Sequence, residues 1–411
     1  MLPQIGRGDT PHKLYPPRPS LSQDSVNIMA KGMLEGVRIL DFGHVFFGPY
    51  ATMILADMGA EVLKVEPPWG EINRLGTNLF GGASASFHYL NRNKKGLAFN
   101  LKDPTALEIV KELAKKSDVV VENFKRGTMD KLGLGYEQLK AVKPDIIYAS
   151  LSGFGLDGPF KDRTSFAPIA ESESSWLRLS GDNIDPKGPP VVPAEYHGDL
   201  DPGLYATIAI LGALRHRDRT HEGQLIDVAQ LDCMIAQCGV SIASYSLSGN
   251  LPWVTKQARK GIGAWGIFQA KDGKYIYVAA DQNMDGRVMK AIGVEEIEEG
   301  SDVFKKWLDG QTAADAITIL AANSVPCAPV NHIPDMFEDP QVVARNIVVQ
   351  LDHKLAGKYK VPQHPVKYSK TPATIKSPAP ILGEHNDEVL KGLLGYSDEK
   401  LAELRAAGVI V

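Results

Sequence analysis

The residues that can do chemistry gather around Gly198-Asp199-Leu200-Asp201-Pro202-Gly203-Leu204. Read as a turn, this stretch puts the Asp199 carboxylate just before an apolar helical segment, Leu204 to Leu214. Such an Asp can simply cap the helix, because its oxygen accepts a bond from an orphan N–H. It can also be a covalent nucleophile, kept ionised by the positive end of the helix dipole. Capping is the commoner use, and only the rest of the chain shifts that balance. His197 is placed either to orient Asp199 or to sit in a surface turn. Gly153, Gly155 and Gly158 spell G-x-G-x-x-G after a strand. A dinucleotide fingerprint needs a helix opening at those glycines. Pro159 to Arg163 reads as loop instead, so a nicotinamide site is disfavoured. The glycines still let backbone approach a ligand closely.

Other candidates lie where strands end, the edge at which α/β folds place ligands. They are His44, Lys64, the run Asn91 to Lys95, Lys102, Lys125, Arg126 and Lys131. Lys and Arg at such an edge suit phosphates, or form a solvated basic rim. Asn123-Phe124 adds an aromatic surface for a flat base. No Walker A, HExxH or Cys/His metal spacing occurs. Cys233, Cys238 and Cys327 read as thiols, which suits a cytoplasmic location.

The elements that must position these groups alternate. Val37–Phe42, Glu61–Glu66, Asp118–Glu122, Asp145–Ser150 and Gln224–Ala229 read as strands. Helices at 50–58, 104–116 and 204–215 fall between some of them. That alternation predicts an α/β fold, a doubly wound, Rossmann-like parallel sheet. From about 230 the texture changes: an apolar helix over 231–247, a basic Gly-containing loop over 250–264, then short strands. The expected organisation is an extended arm (1–33), a large α/β domain (34–229), a smaller α+β domain (230–340), and a linker with a C-terminal return to the large domain (341–411). At 411 residues, two domains are the ordinary expectation. A net charge of -4 gives no field for nucleic acid or an anionic membrane, so an anionic ligand needs local Lys and Arg. No apolar run reaches spanning length.

Seven pieces in order resemble one family, the class III CoA-transferases, which also contains α-methylacyl-CoA racemase. They are Gly36–Phe42, Leu55–Glu66, Asn91–Lys95, Val121–Phe124, Lys131–Glu137, Ser150–Pro159 and Gly223–Val228. The resemblance implies a CoA-transferase in which Asp199 is the nucleophile, through mixed anhydrides and an aspartyl-CoA thioester. It implies CoA contacts at Val45, Phe46, Phe47, Phe99, Lys102, Asn123, Phe124, Lys125 and Lys131. Oxyanions form in each acyl-transfer step, and Gly153, Gly198, Gly261 and Gly263 are candidate sources of close backbone. Residues 260–266, with Trp265 in a loop, would form the lid, and Arg259 or Lys260 would hold a second carboxylate. No tightly bound cofactor or metal is implied; CoA thioester is a substrate beside a free carboxylic acid. The family fold is an interlocked homodimer, with the site between the large domain of one chain and the small domain of its partner. Two alternatives stand beside this reading: a non-catalytic CoA-binding subunit of a heteromeric transferase, and a racemase. The racemase needs a His where this chain has Phe166, which cannot shuttle a proton.

Overall fold

A computed structural model describes residues 32–75, 79–251, 264–296 and 302–411. The expected arm, Gly261 and Gly263 lie outside them, apart from the arm's last residues. Six parallel strands form the main sheet: β1 (Arg38–Asp41), β2 (Glu61–Glu66), β3 (Lys94–Ala98), β4 (Val119–Glu122), β5 (Ile147–Ser152) and β6 (Leu225–Ala229). Their spatial order is β3-β2-β1-β4-β5-β6, that of a doubly wound nucleotide-binding sheet. Side chains alternate between faces, and helices cover both, so apolar strand residues are buried on either face. Leu40, Leu63, Val120 and Tyr148 enter one core. Ile39, Val62, Val119, Val121, Ile147 and Ala149 enter the other.

Helices α1 (Phe47–Asp57) and α4 (His197–Thr220) pack on the second face. Helix α2 (Pro104–Lys115) packs on the first, opened by Asp103, whose side chain accepts the Thr105 N–H at 2.7 Å, with Pro104 where its missing N–H costs nothing. The tail joins that first core through α10 (Asn386–Leu394) and α11 (Asp398–Ala406), which contribute Val389, Leu390, Leu401 and Leu404. Two further helices precede the basic segment: α5 (Gln230–Gln237) and α6 (Gly239–Ser248), separated at Cys238 where one helix was expected. Cys233 on α5 belongs to the core beneath α1 and α4. The separate core therefore begins only at Ala264 and runs to Cys327. It is built on the antiparallel sheet β7 (Trp265–Gln269), β8 (Tyr275–Ala279) and β9 (Cys327–Pro329), with α7 (Asp285–Ile292), α8 (Val303–Leu308) and α9 (Ala313–Ala322). Trp265 thus opens a strand and is not a loop residue. A hairpin follows, β10 (Val348–His353) with β11 (Gly357–Pro362).

The basic run 91–95 corrects both readings of it, phosphate grip and solvated rim, because Arg92 and Lys94 turn inward and Lys95 is held in ion pairs. Arg92 is 1% exposed and forks onto Asp57, with Nη2 2.7 Å from Oδ2. Lys94 Nζ is fully buried and donates to Asp41 Oδ2 at 3.0 Å, Thr52 Oγ1 at 2.8 Å, Asn91 Oδ1 at 3.0 Å and the Pro49 carbonyl at 3.1 Å. Lys95 bridges Glu61 and Glu388, each at 2.8 Å. Lys64, also fully buried, donates to the Gly43 carbonyl at 2.7 Å.

Candidate active site

A cleft opens at the carboxyl ends of β1 and β4, the switch point where strand order reverses and where such sheets bind ligands. Of the expected residues, Val45, Phe47, Asn123, Phe124, Lys125, Gly153 and Asp199 line it, together with His44 and Phe166. No helix opens at Gly153, Gly155 or Gly158; residues 153–163 run as bends and turns. Gly153 is needed for packing, since a Cβ there would come within 2.2 Å of Ser165 Cβ.

The loop after β1 is clamped by side chains from several elements. Asn123 Oδ1 accepts the His44 N–H at 2.7 Å, and Asn123 Nδ2 donates to the His44 carbonyl at 2.9 Å. Asn123 thus shapes the cleft with its amide already engaged. Glu71 Oε2 accepts the Val45 N–H at 3.2 Å, and Asn73 Nδ2 donates to the Val45 carbonyl at 3.1 Å. The clamp holds Val45 at φ 64°, a left-handed conformation strained for a β-branched residue. His44 packs edge-on to Phe124, centroids 4.8 Å apart. Burial, then the nearby Lys64 charge, pushes its imidazole down to about 4, so it is neutral.

Other expected contacts fall elsewhere. Phe46 packs on Tyr196, centroids 4.8 Å apart. The Phe99 ring is 0% exposed inside the first core, and its N–H is spent on the Glu66 carbonyl at 2.9 Å. That side chain has no surface to offer a ligand. Lys102 Nζ lies 5.8 Å from the Trp69 ring centroid. Lys131 ends a one-turn helix, Thr128–Lys131. Trp265 stands in the smaller sheet.

Asp199 lies inside the first turn of α4, which begins at His197, and not in a turn before it. Pro202 and Gly203 are the residues that read as a turn, yet both lie within the helix. Gly203 instead allows α4 to close on α1, where a Cβ would meet Tyr50 Cδ1 at 2.9 Å and the Phe47 carbonyl at 3.2 Å. The Asp199 side chain is 7% exposed. Its Oδ1 accepts from Gln230 Nε2 at 2.5 Å. Burial pushes the carboxyl up to about 7, against the Gln230 bond and aided by the Glu171 charge. Burial thus opposes the ionised form that the helix end was expected to favour. His197 does not orient it, since its Nδ1 faces Asp201 Oδ2 at 3.4 Å. Gly198 gives no free donor, because its N–H is held by Glu171 Oε1 at 2.8 Å.

Gln230 and Glu171 escaped the sequence reading. Gln230 had one usable signal, a polar residue directly after the carboxyl end of a strand. Glu171, on α3 (Ala167–Glu173), had none, because its role depends on α3 abutting the start of α4. That contact is tight: a Cβ at Gly198 would approach the Ala167 carbonyl oxygen to 2.3 Å.

A doubly wound sheet whose switch-point cleft carries a buried, hydrogen-bonded carboxylate defines an α/β protein of the nucleotide-binding-sheet type. The family model described as CoA-transferase family III matches residues 34–386, and the chain belongs to that family. It is 36% identical over 399 residues to the human succinyl-CoA:glutarate CoA-transferase, covering 92% of this chain and 90% of that one. It is 34% identical to the succinyl-CoA–L-malate CoA-transferase beta subunit of Chloroflexus aurantiacus, covering 92% and 98%. A CAIB/BAIF family protein from Brucella suis has a similar structure, with a TM-score of 0.79, 30% identity, and coverage of 88% of this chain and 100% of that one.

The strained loop gives a test of its clamp. Glu71→Ala removes the acceptor that holds Val45 and should raise KM for a CoA thioester about tenfold, the scale of one lost bond to a charged group. Val45→Gly should blunt that penalty when the two are combined, because glycine adopts the left-handed conformation without support. Steady-state kinetics of the two single variants and the double variant check both effects.

Proposed function

We propose that the protein transfers CoA from an acyl-CoA thioester to a free carboxylate, with Asp199 as the covalent relay. The observation that carries this is the buried Asp199 carboxylate in the cleft, on a chain of this family. The carboxylate attacks the donor carbonyl, giving a mixed anhydride and CoA thiolate. The thiolate attacks the aspartyl carbonyl, leaving an aspartyl-CoA thioester and the free donor acid. The acceptor carboxylate attacks that thioester and regenerates thiolate and an anhydride. Thiolate attack on the acceptor acyl carbon then releases the new acyl-CoA and the Asp199 carboxylate. Partial burial protects intermediates that water would hydrolyse.

Dicarboxylic acids are the substrate class we favour. Two of the relatives above carry succinyl-CoA in their names, and Lys125 and Lys161 line the cleft. These cations suit the thioester's phosphates and a second carboxylate. Phe166, in the cleft, offers no proton shuttle and so weighs against racemisation. The apolar face of the smaller sheet, where Ile267 is 62% and Tyr277 40% exposed, supports a homodimer in which this face covers a partner's cleft. The resemblance to a chain named as a beta subunit favours a second reading, a heteromer. Activity that appears only with a second polypeptide would select it.

Incubation of the purified chain with a panel of acyl-CoAs should yield a CoA adduct on the Asp199 peptide by mass spectrometry. Absence of that adduct with every donor, while exchange proceeds, would refute the relay. Only the carboxylate attacks, so kcat/KM should rise with pH through about 7, the value to which burial raises Asp199.

A further inference from the structure

We infer that Gln230 is a catalytic residue, the oxyanion donor for both tetrahedral intermediates that form on the Asp199 carbonyl carbon. The inference rests on the relay proposed above. In that relay two different carbons are attacked. The first and last steps occur at a substrate carbonyl. The middle two occur at Asp199 Cγ, first by CoA thiolate and then by the acceptor carboxylate. In each middle step a bond forms to Cγ and the C=O electron pair moves onto the oxygen that stays with Asp199. Collapse returns that pair and expels donor carboxylate in one case and CoA thiolate in the other. The oxygen carrying this transient charge needs a donor already aimed at it.

Gln230 Nε2 lies 2.5 Å from Asp199 Oδ1, and its side chain is 5% exposed. With Oδ1 so engaged, Oδ2 is the oxygen left to attack the donor thioester, to bridge the anhydride and to depart with the donor acid. The amide then remains beside the oxygen that becomes the aspartyl carbonyl. The two backbone N–H groups next to this carboxylate in the chain are already committed. The Gly198 N–H goes to Glu171 Oε1, and the Asp199 N–H goes to the Tyr196 carbonyl at 3.0 Å.

Gln230 is also rigidly placed. It follows β6, whose last residue Ala229 pairs with Ser152 on β5. The next N–H, from Leu231, is fixed on the Gly153 carbonyl at 3.1 Å. The donor is therefore held by the sheet itself, and little reorganisation is needed when charge develops.

The test separates the two kinds of carbon. Gln230→Met keeps length but removes the donor, and Gln230→Glu keeps shape but replaces the N–H donor with a carboxylate that can only accept. The Asp199–CoA adduct is accumulated by long incubation with donor, stripped of free thioester, and challenged with hydroxylamine or an acceptor acid. Both reagents attack Cγ directly. Breakdown of the adduct should slow about 10²–10³-fold in both variants, the usual effect of losing one oxyanion donor. KM for the thioester should stay within about threefold of wild type, since uniform binding is untouched. Adduct breakdown within about threefold of wild type in Gln230→Met, with a cooperative unfolding transition retained, would overturn the oxyanion role and leave the relay standing. Failure of the wild-type protein to form any adduct would overturn the relay, and this inference with it.

Discussion

Asp199→Asn should abolish CoA exchange and, above pH 7, make the protein harder to unfold. The loss of activity follows because a carboxamide cannot form the anhydride. The gain in stability follows from proton linkage. Burial, opposed by the Gln230 bond and reinforced by Glu171, raises the Asp199 carboxyl from an ordinary 3.8 to about 7. Between those two values the folded chain binds more protons than the unfolded chain. The group's contribution is therefore fully present below about pH 3.8 and is lost as pH rises through about 7. A shift of about three units corresponds to roughly 4 kcal/mol. Asparagine carries no charge to desolvate, so the variant should exceed wild type by a few kcal/mol at pH 8. The difference should shrink steadily toward pH 4. Glu122 is also pushed up to about 7 by burial, but it is common to both chains and cancels in the comparison. Urea unfolding of both proteins at pH 4, 6 and 8 measures the effect. A variant no more stable than wild type at pH 8 would mean that Asp199 is not held in a desolvated state.

Much of the fold was legible because the strands of a doubly covered sheet bury apolar side chains on both faces. Val119, Val120 and Val121 send side chains alternately into two cores, and nothing but a buried strand suits such a run. The cleft was legible to the same extent: His44 and Asn123-Phe124 follow strand ends, and strand ends define the crevice. The position of Asp199 could be read, but its local structure could not. Pro and Gly together resemble a turn, and only the tertiary contact of Gly203 with Tyr50 and Phe47 shows why they sit within a helix. The pairing of Asp199 with its neighbours was illegible because Gln230 and Glu171 are 31 and 28 residues away with no pattern linking them to it. Charge misled most. A lysine near the end of a strand has the same spacing whether it grips a phosphate or neutralises a buried aspartate. Lys94 does the second.

Lys94 consequently carries the largest expected effect on folding. Asp41 is 0% exposed, and its carboxyl is held below the ordinary carboxylate range: burial would raise it, but Lys94, Lys64 and the Thr52 hydroxyl together outweigh burial. The Lys94 ammonium is itself pushed down to about 8 by burial, against the pull of Asp41. Each charge is thus tolerable only beside the other. Lys94→Met should cost about 3–5 kcal/mol in urea unfolding, because it leaves Asp41 ionised in the interior with one cation fewer. Replacing both, Asp41→Asn with Lys94→Met, should cost less than the sum of the single changes, and this coupling is what the double-mutant cycle reads. The damage should also reach the cleft. Asp41 Oδ1 accepts the Gly43 N–H at 2.7 Å, and Gly43 opens the loop that carries His44 and Val45. A single substitution some distance from Asp199 should therefore weaken thioester binding as well as the fold. If Lys94→Met lowered stability by less than about 1 kcal/mol, the pair would be contributing no more than an exposed ion pair does, and the inward-facing reading of this basic run would have to be abandoned.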